Sequence, residues 1–338
     1  MSTPLDGRQA TAIAQAAQAL ADGRLLGLPT ETVYGLGADA DNASAVARIF
    51  SAKGRPSNHP LIVHVAGATE AEWWPAVLHH ATDVPEFAQR LMRAFWPGPL
   101  TLILPRREVV GAVAAGGQNS IGLRCPSHPM AQAVLHAARP LGVWGVAAPS
   151  ANRFGRVSPT TAAHVVSEFE GVLSDTELCV LDGGPCDVGI ESTIVDASRG
   201  HPVLLRPGML TATEIEAVCG QPLRARDDQA PRASGTLESH YAPQAKVRLM
   251  DARQIQSALD VLGADARHIA VYTRGKVKSA SKHLVQRAMP GDAAACAQEL
   301  FAVLRAFDDA GVKLIWIETP PPAPEWDGVR DRLQRAAA

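Results

Sequence analysis

Aromatic side chains make up only 5% of the 338 residues, and 32 Lys and Arg nearly balance 34 Asp and Glu. The chain therefore lacks both a stacking platform and a global basic field, which disfavours a nucleic-acid-binding module as its main role. Any RNA contact has to be weak and local. Cysteine is sparse as well: Cys125, Cys179, Cys186, Cys219 and Cys296 form no Cys-x-x-Cys pair, and an odd count argues against a disulfide framework. No apolar run is long enough to span a membrane, and the amino terminus shows no basic segment followed by an apolar one. A cytoplasmic protein with reduced thiols and no membrane partner is expected. Gly-x-Ser-x-Gly, His-Glu-x-x-His and Walker-type loops are missing too, so neither a serine elbow, a zinc protease site nor a P-loop is foreseen.

What is present has ordinary globular composition, 46% hydrophobic and 20% charged, in a length that suits two domains with a core each. The chain is organised around residues 28–65. An apolar run at residues 25–28 stops at Pro29, which lacks an N–H and cannot continue a central strand. Thr30, Glu31, Thr32 and Tyr34 then place polar groups at a strand's carboxyl end, where open α/β sheets hold ligands. Gly35 and Gly37 permit close approaches in what reads as a polar turn. Asn42 suits the N-cap of a helix with Val46, Ile49 and Phe50 at helical spacing, ending at Lys53-Gly54. Lys53 and Arg55 flank that glycine, and two cations so placed can converge on one phosphate group. A solvated helix-ending loop explains the same residues without a ligand. His64 lies inside the next strand, residues 61–65, where a hydrogen-bonded core histidine is the plain alternative. The glycines at 35 and 37 loosely fit a dinucleotide fingerprint, but they do not directly follow the strand and no acidic residue has the required spacing.

Further along, residues 6–22 read as a surface helix, and residues 73–94 carry a second helical pattern stopped by Trp96-Pro97-Gly98-Pro99. Strands are expected at 100–104, 120–124, 143–147, 178–181, 192–195 and 203–205, with helices at 130–138 and 160–169. Thr213 with Glu216 suggests a capping-box start for the last short helix of the first domain. This alternation implies a large twisted mixed sheet over residues 1–220. Residues 221–245 are poor in aliphatics and hold Pro222, Pro231, Gly235 and Pro243, the composition of a linker. Residues 246–338 read as three strands and three helices, a smaller Rossmann-like three-layer α/β domain.

Specific motifs stand out: Pro29-Thr30-Glu31-Thr32-Val33-Tyr34-Gly35-Leu36, Lys53-Gly54-Arg55-Pro56, Pro60-Leu61, Phe95-Trp96-Pro97-Gly98-Pro99-Leu100-Thr101 and Leu123-Arg124-Cys125-Pro126. Pro149-Ser150-Ala151-Asn152, Ser158-Pro159-Thr160, Glu191-Ser192-Thr193-Ile194-Val195-Asp196 and Leu205-Arg206-Pro207-Gly208 follow. In this order they closely resemble the threonylcarbamoyl-AMP synthase family. Residues 234–243, Ser-Gly-Thr-Leu-Glu-Ser-His-Tyr-Ala-Pro, resemble the linker motif of the family's long form, where the segment folds back over the active site.

The resemblance implies that residues 1–220 form the catalytic domain, 221–245 an active-site lid and 246–338 the carboxyl-terminal domain. It also implies a nucleotidyltransferase reaction. Threonine and bicarbonate or CO2 give a carbamate, which attacks the α-phosphate of ATP to release pyrophosphate and leave threonylcarbamoyl-AMP for tRNA modification by a downstream threonylcarbamoyl-transfer machinery. Carried over by residue, Thr32, His64, Arg124, Ala148 and Ser192 would contact threonine. Lys53, Arg55, Ser150, Asn152, Ser158, Arg206 and Tyr241 would surround ATP, with Lys53 and Arg55 at the β- and γ-phosphates. Mg2+ is expected to enter with the triphosphate, with no dedicated ligand cluster. His59 stands where the family commonly has Asn, which puts that nucleotide contact in question.

Overall fold

Pro29 and the glycines after it make a hairpin, and the rest of the larger sheet is laid around that hairpin. In the computed structural model, which describes residues 3–236 and 241–338, β2 (Leu25–Leu28) pairs antiparallel with β3 (Gly35–Asp39). Residues 35–39 are thus a strand and not the polar turn expected from their glycines. Gly35 and Gly37 fit because a Cβ at either would come within 3 Å of Ala148 or Val146 on the neighbouring strand and loop.

Before the hairpin come β1 (Leu5–Asp6) and α1 (Ala10–Ala21); after it come α2 (Ala43–Lys53) and β4 (Ile62–His64). The Asn42 side chain accepts from Ala45 N at 3.0 Å, and Gly54 closes α2 in the left-handed conformation at φ 62°. Two helices follow, α3 (Glu70–His80) and α4 (Glu86–Phe95), where periodicity suggested one. Pro85 is the reason: it stands as N-cap of α4, and Ala81 before it is extended and bridges to Arg106. Then come β5 (Leu100–Pro105), β6 (Ser120–Arg124), α5 (Pro129–Ala138), β7 (Val146–Ala147), α6 (Ala162–Phe169) and β8 (Leu178–Asp182). β9 (Thr193–Asp196), β10 (Val203–Arg206) and α7 (Ala212–Cys219) complete this part. The capping box of α7 is made by Thr211 and Glu214, two residues before the expected pair; the same Thr-x-x-Glu spacing occurs twice, and Thr213 lies inside the first turn.

The ten strands run β1-β8-β2-β3-β7-β4-β6-β5-β9-β10 with parallel and antiparallel pairs mixed, as expected of this fold. Leu25 faces one core, with α2, α3, α4 and α6 (Val46, Ile49, Trp73, Leu91, Phe169). Leu26 and Leu28 face the other, under α1 and α5 (Leu20, Val134, Leu135).

The second domain holds β11 (Lys246–Met250), α8 (Ala252–Leu262), β12 (Ile269–Thr273), β13 (Val285–Ala288), α9 (Ala293–Asp309), β14 (Leu314–Glu318) and α10 (Asp327–Ala337). Its sheet is parallel in the order β11-β14-β12-β13. Four strands replace the expected three because β13 is a mostly exposed edge strand, Val-Gln-Arg-Ala, with no apolar alternation to mark it. The two domains share one core: Val33, Val157, Ile190 and Tyr241 pack with Leu300, Phe301, Leu304, Val329 and Leu333. At the seam Gly189 (φ 80°) lies so close to α9 that a Cβ would meet the Ala297 carbonyl at 2.4 Å.

Gly54 and Gly189 share the left-handed backbone, but nothing lies within 4 Å of a Cβ at Gly54. Gly54→Ala is expected to cost about 1 kcal/mol from backbone strain alone. Gly189→Ala adds a backbone collision between domains and is expected to cost roughly 2–4 kcal/mol in all. Chemical denaturation of both variants checks this, and equal losses would refute the tight seam.

Candidate active site

The cavity is built where the hairpin loop, the ends of β4 and β6, and the segments after β7 and before β9 meet. Thr30 shapes the loop: its hydroxyl donates to the Val33 carbonyl at 2.6 Å and lies 2.9 Å from the Thr32 hydroxyl. Tyr34 points away and is structural, its hydroxyl donating to the Gly184 carbonyl (2.7 Å) and accepting from Gly183 N (3.0 Å). β4 and β6 run parallel in register, placing His64 beside Arg124. Thr32, His64, Arg124, Ala148, Ser150, Ser192, Arg206 and Tyr241 all line one small cavity, partly open to solvent.

One wall is an arginine fork. Arg124 Nη1 donates to the Thr32 hydroxyl at 2.7 Å, Nε to the Gly98 carbonyl at 3.3 Å, and Nη2 lies 2.5 Å from a Glu31 carboxylate oxygen. Burial works against the charged form of Glu31, but Arg124 prevails and holds its carboxyl below the usual range. Beside it His64 is fully enclosed; desolvation, with Arg124 adding, pushes its pKa down to about 3, so its ring is neutral. His64 Nδ1 has no hydrogen-bond partner among the described residues.

Arg206 is the cation on the opposite wall. Arg206 donates to the Ser192 carbonyl (3.1 and 2.8 Å) and hydroxyl (3.2 Å), and that hydroxyl lies 2.8 Å from Thr101 Oγ1. Arg55 donates to the Pro60 carbonyl at 3.0 Å and lies 3.4 Å from Ser234 Oγ. Lys53 is placed beneath the loop, not on the cavity surface: Nζ donates to the Ser150 carbonyl at 2.6 Å and to that of Asn152. Among the described residues no carboxylate is within ion-pair distance of Lys53, Arg55 or Arg206. Burial lowers all three pKa values, with Arg55 repelling Lys53, and Arg55 falls to about 10. Three buried cations without a carboxylate make a place for an anion.

Ser150 and Tyr241 reach the cavity, whereas Arg55, Asn152, Ser158 and His59 do not line it. Asn152 Nδ2 donates to the Arg153 and Arg156 carbonyls, Ser158 donates to Glu191 Oε1 at 2.5 Å, and the His59 ring stands edge-on to Phe154. The linker covers the mouth: the Ser234 carbonyl accepts from Arg206 at 2.9 Å, and a Cβ on Gly235 would collide with the Tyr241 hydroxyl. Residues 237–240 of the linker motif lie outside the described residues.

Residues 18–208 match the family model described as "Telomere recombination", and residues 210–338 match "Threonylcarbamoyl-AMP synthase, C-terminal domain". The threonylcarbamoyl-AMP synthase of Pyrococcus abyssi is 37% identical over 95% of this chain and 93% of its own, and that of Bacillus subtilis 38% identical over 96% and 92%. The chain belongs to the threonylcarbamoyl-AMP synthase family. The crystal structure of P. abyssi Sua5 complexed with L-threonine superposes with a TM-score of 0.85 at 36% identity, covering 97% of this chain and 95% of that one.

For a synthase of this family, the residues that sequence reasoning left without a role are Glu31, Glu191 and Arg332. Glu31 and Glu191 stood in the quoted motifs, but nothing local gave their partners. Arg332, on α10 of the second domain, is fully buried and donates to Glu191 Oε2 at 2.8 Å, the Glu191 carbonyl at 3.0 Å and the Pro207 carbonyl at 2.8 Å. Its guanidinium also sits 5.3 Å from the Tyr241 ring centroid. Burial opposes ionisation of Glu191, yet Arg332 and then Arg206 keep it below the normal carboxyl range.

Two outcomes are expected. Arg332→Leu strands a buried carboxylate and should cost roughly 3–5 kcal/mol, much of it recovered in the Arg332→Leu, Glu191→Gln double variant; an additive loss in urea melts would show that the pair is not coupled. Because His64 titrates near 3 in the fold and near 6.5 when unfolded, only the unfolded chain gains this proton as pH falls through that window. His64 thus lowers stability with falling pH, by up to about 1.4 kcal/mol per pH unit. His64→Gln should flatten the stability profile between about pH 6 and pH 4, and an unchanged slope would mean the ring is charged.

Proposed function

We infer that this site makes threonylcarbamoyl-AMP from L-threonine, bicarbonate or CO2, and ATP, releasing pyrophosphate, in the service of tRNA threonylcarbamoyl modification. The observation carrying the reading is the pairing, at one cavity, of an arginine–hydroxyl wall with a cationic side on which Arg206 lines the surface while Arg55 and Lys53 contact the lining residues Ser234 and Ser150, with no carboxylate in ion-pair distance among the described residues. The first suits an amino-acid carboxylate and hydroxyl; the second suits a polyphosphate.

Arg124 grips the threonine carboxylate with its planar fork while Thr32 and Ser192 orient the remaining polar atoms. Neutral His64, with Nδ1 uncommitted, offers a hydrogen bond without adding charge. Ala148 leaves room for the side chain. The carbamate oxygen forms a bond to the α-phosphorus as the bond to the β-bridging oxygen breaks, and pyrophosphate takes the electron pair. No side chain needs to act as nucleophile; positioning and charge neutralisation supply the rate. Arg55, Arg206 and Lys53 supply the field, and Lys53 also fixes the Ser150–Asn152 loop against which the nucleotide rests. Glu31 and Glu191 are already paired with arginines, so a Mg2+ ion arriving with ATP would be held by phosphate oxygens and water. The mixed anhydride hydrolyses readily, which gives the covering linker and Tyr241 their purpose as a lid that excludes water. The adenylate then passes to a threonylcarbamoyl-transferring partner. Five free cysteines suit a reducing compartment such as the cytoplasm.

Pyrophosphate release by the purified protein should require threonine and bicarbonate together; release indifferent to threonine would overturn the reading. Arg124→Lys keeps the charge facing Glu31 but loses the fork. It should raise the KM for threonine by about 10- to 100-fold with little change for ATP. Equal shifts for both substrates would remove Arg124 from the threonine subsite.

A further inference from the structure

Away from the cavity, one group of potential metal ligands stands out. One donor atom each from Asp41, His79 and His80 lie within 4.8 Å of one another, the group of this kind found among the described residues. We propose that Asp41, His79 and His80 bind a single divalent transition-metal ion of the imidazole-preferring class, such as Zn2+, Co2+ or Ni2+.

His80 carries the argument. It is wholly buried, and its Nδ1 lies 2.8 Å from the Ala76 carbonyl one helical turn earlier. A carbonyl can only accept, so Nδ1 bears the proton and Nε2 presents a lone pair. Nε2 is itself buried and has no hydrogen-bond partner among the described residues. A ring oriented by an Nδ1–H bond to a backbone carbonyl, with a free Nε2, is the arrangement found in histidine metal ligands. Gly145 borders this atom; a Cβ there would stand 3.3 Å from Nε2 and 2.9 Å from Cε1. Burial also favours the neutral ring that metal ligation needs.

The other donors are already held. His79 Nε2 is 2.6 Å from Asp41 Oδ2, and the His79 ring stacks on Trp144 at 4.7 Å with 7° between planes. Trp144 in turn carries the Arg139 guanidinium at 3.7 Å. Asp41 is exposed, which leaves an entry path and freedom to close onto an ion. Two imidazoles and one carboxylate select a borderline metal over Mg2+ or Ca2+, with water completing four-coordination.

The position assigns a structural role. Asp41 follows the distal end of β3, the strand whose other end, Gly35, borders the catalytic cavity. His79 and His80 close α3. A bound ion would staple α3 to the turn between β3 and α2, remote from the reacting atoms.

Titration of the metal-stripped full chain with Co2+ tests this. Binding of one ion with visible d–d absorption, displaced by Zn2+, and a rise in the thermal midpoint with Zn2+ are expected. Asp41→Asn and His79→Gln lie outside the catalytic cavity, so pyrophosphate release should persist in both and confirm folding. Each should weaken Co2+ binding by at least about ten-fold, since one of three protein ligands is lost. Absence of binding, equal affinity in the variants, or a thiolate-to-cobalt charge-transfer band placing the ion on cysteines would each overturn the site.

Discussion

The buried ion pair between Arg332 and Glu191 joins the two domains at the wall of the candidate cavity. Glu191 immediately precedes Ser192 and lines the cavity; Arg332 comes from the last helix of the second domain. A pair of this kind is held by the cost of separating it, because either partner left alone would be a bare charge in a dry interior. Its secondary bonds extend that constraint: Ser158 to Glu191, Arg332 to the Pro207 carbonyl, and the Arg332 guanidinium to the Tyr241 ring. Arg305 adds a second crossing, with Nη2 2.9 Å from Glu168 and Nε 3.4 Å from the Ser158 carbonyl. The second domain, which carries no phosphate loop of its own, thereby supports the Glu191 wall of the candidate cavity.

The charge layout follows a simple division. Among the described residues Glu31 is paired with Arg124 and Glu191 with Arg332, while Lys53, Arg55 and Arg206 have carbonyls and hydroxyls as partners. The excess positive charge is therefore localised on one side and is invisible in the whole-chain balance of −2. Burial, with the neighbouring Arg55 adding, lowers the Lys53 pKa. The linker contacts both Arg206 and Arg55 through Ser234.

Much of the fold was legible because its signals are local. The N-cap of α2 at Asn42, the stop at Pro29 and the helices of the second domain were visible in side-chain periodicity, caps and breakers. Elements were misjudged where two local signals competed or none existed. The glycines of β3 read as a turn because their purpose, close approach to the segment at 146–148, lies across the sheet. Pro85 divided one periodic pattern into two helices, and edge strand β13 had no buried face to announce it.

The sequence by itself determined which residue types stand where: the threonine-rich loop after Pro29, the Lys53-Gly54-Arg55 turn, Arg124 at a strand end and the Ser192 segment, in an order diagnostic of the family. Only the tertiary structure decided how they are used. It directed Lys53 to two loop carbonyls, sent Tyr34 away from the cavity, and brought Arg332 to Glu191 across 141 residues of chain. The physical reason is that caps, turns and amphipathic faces are set by neighbours within a few residues, whereas the partner of a buried charge is chosen by whichever distant segment the packed core delivers to it.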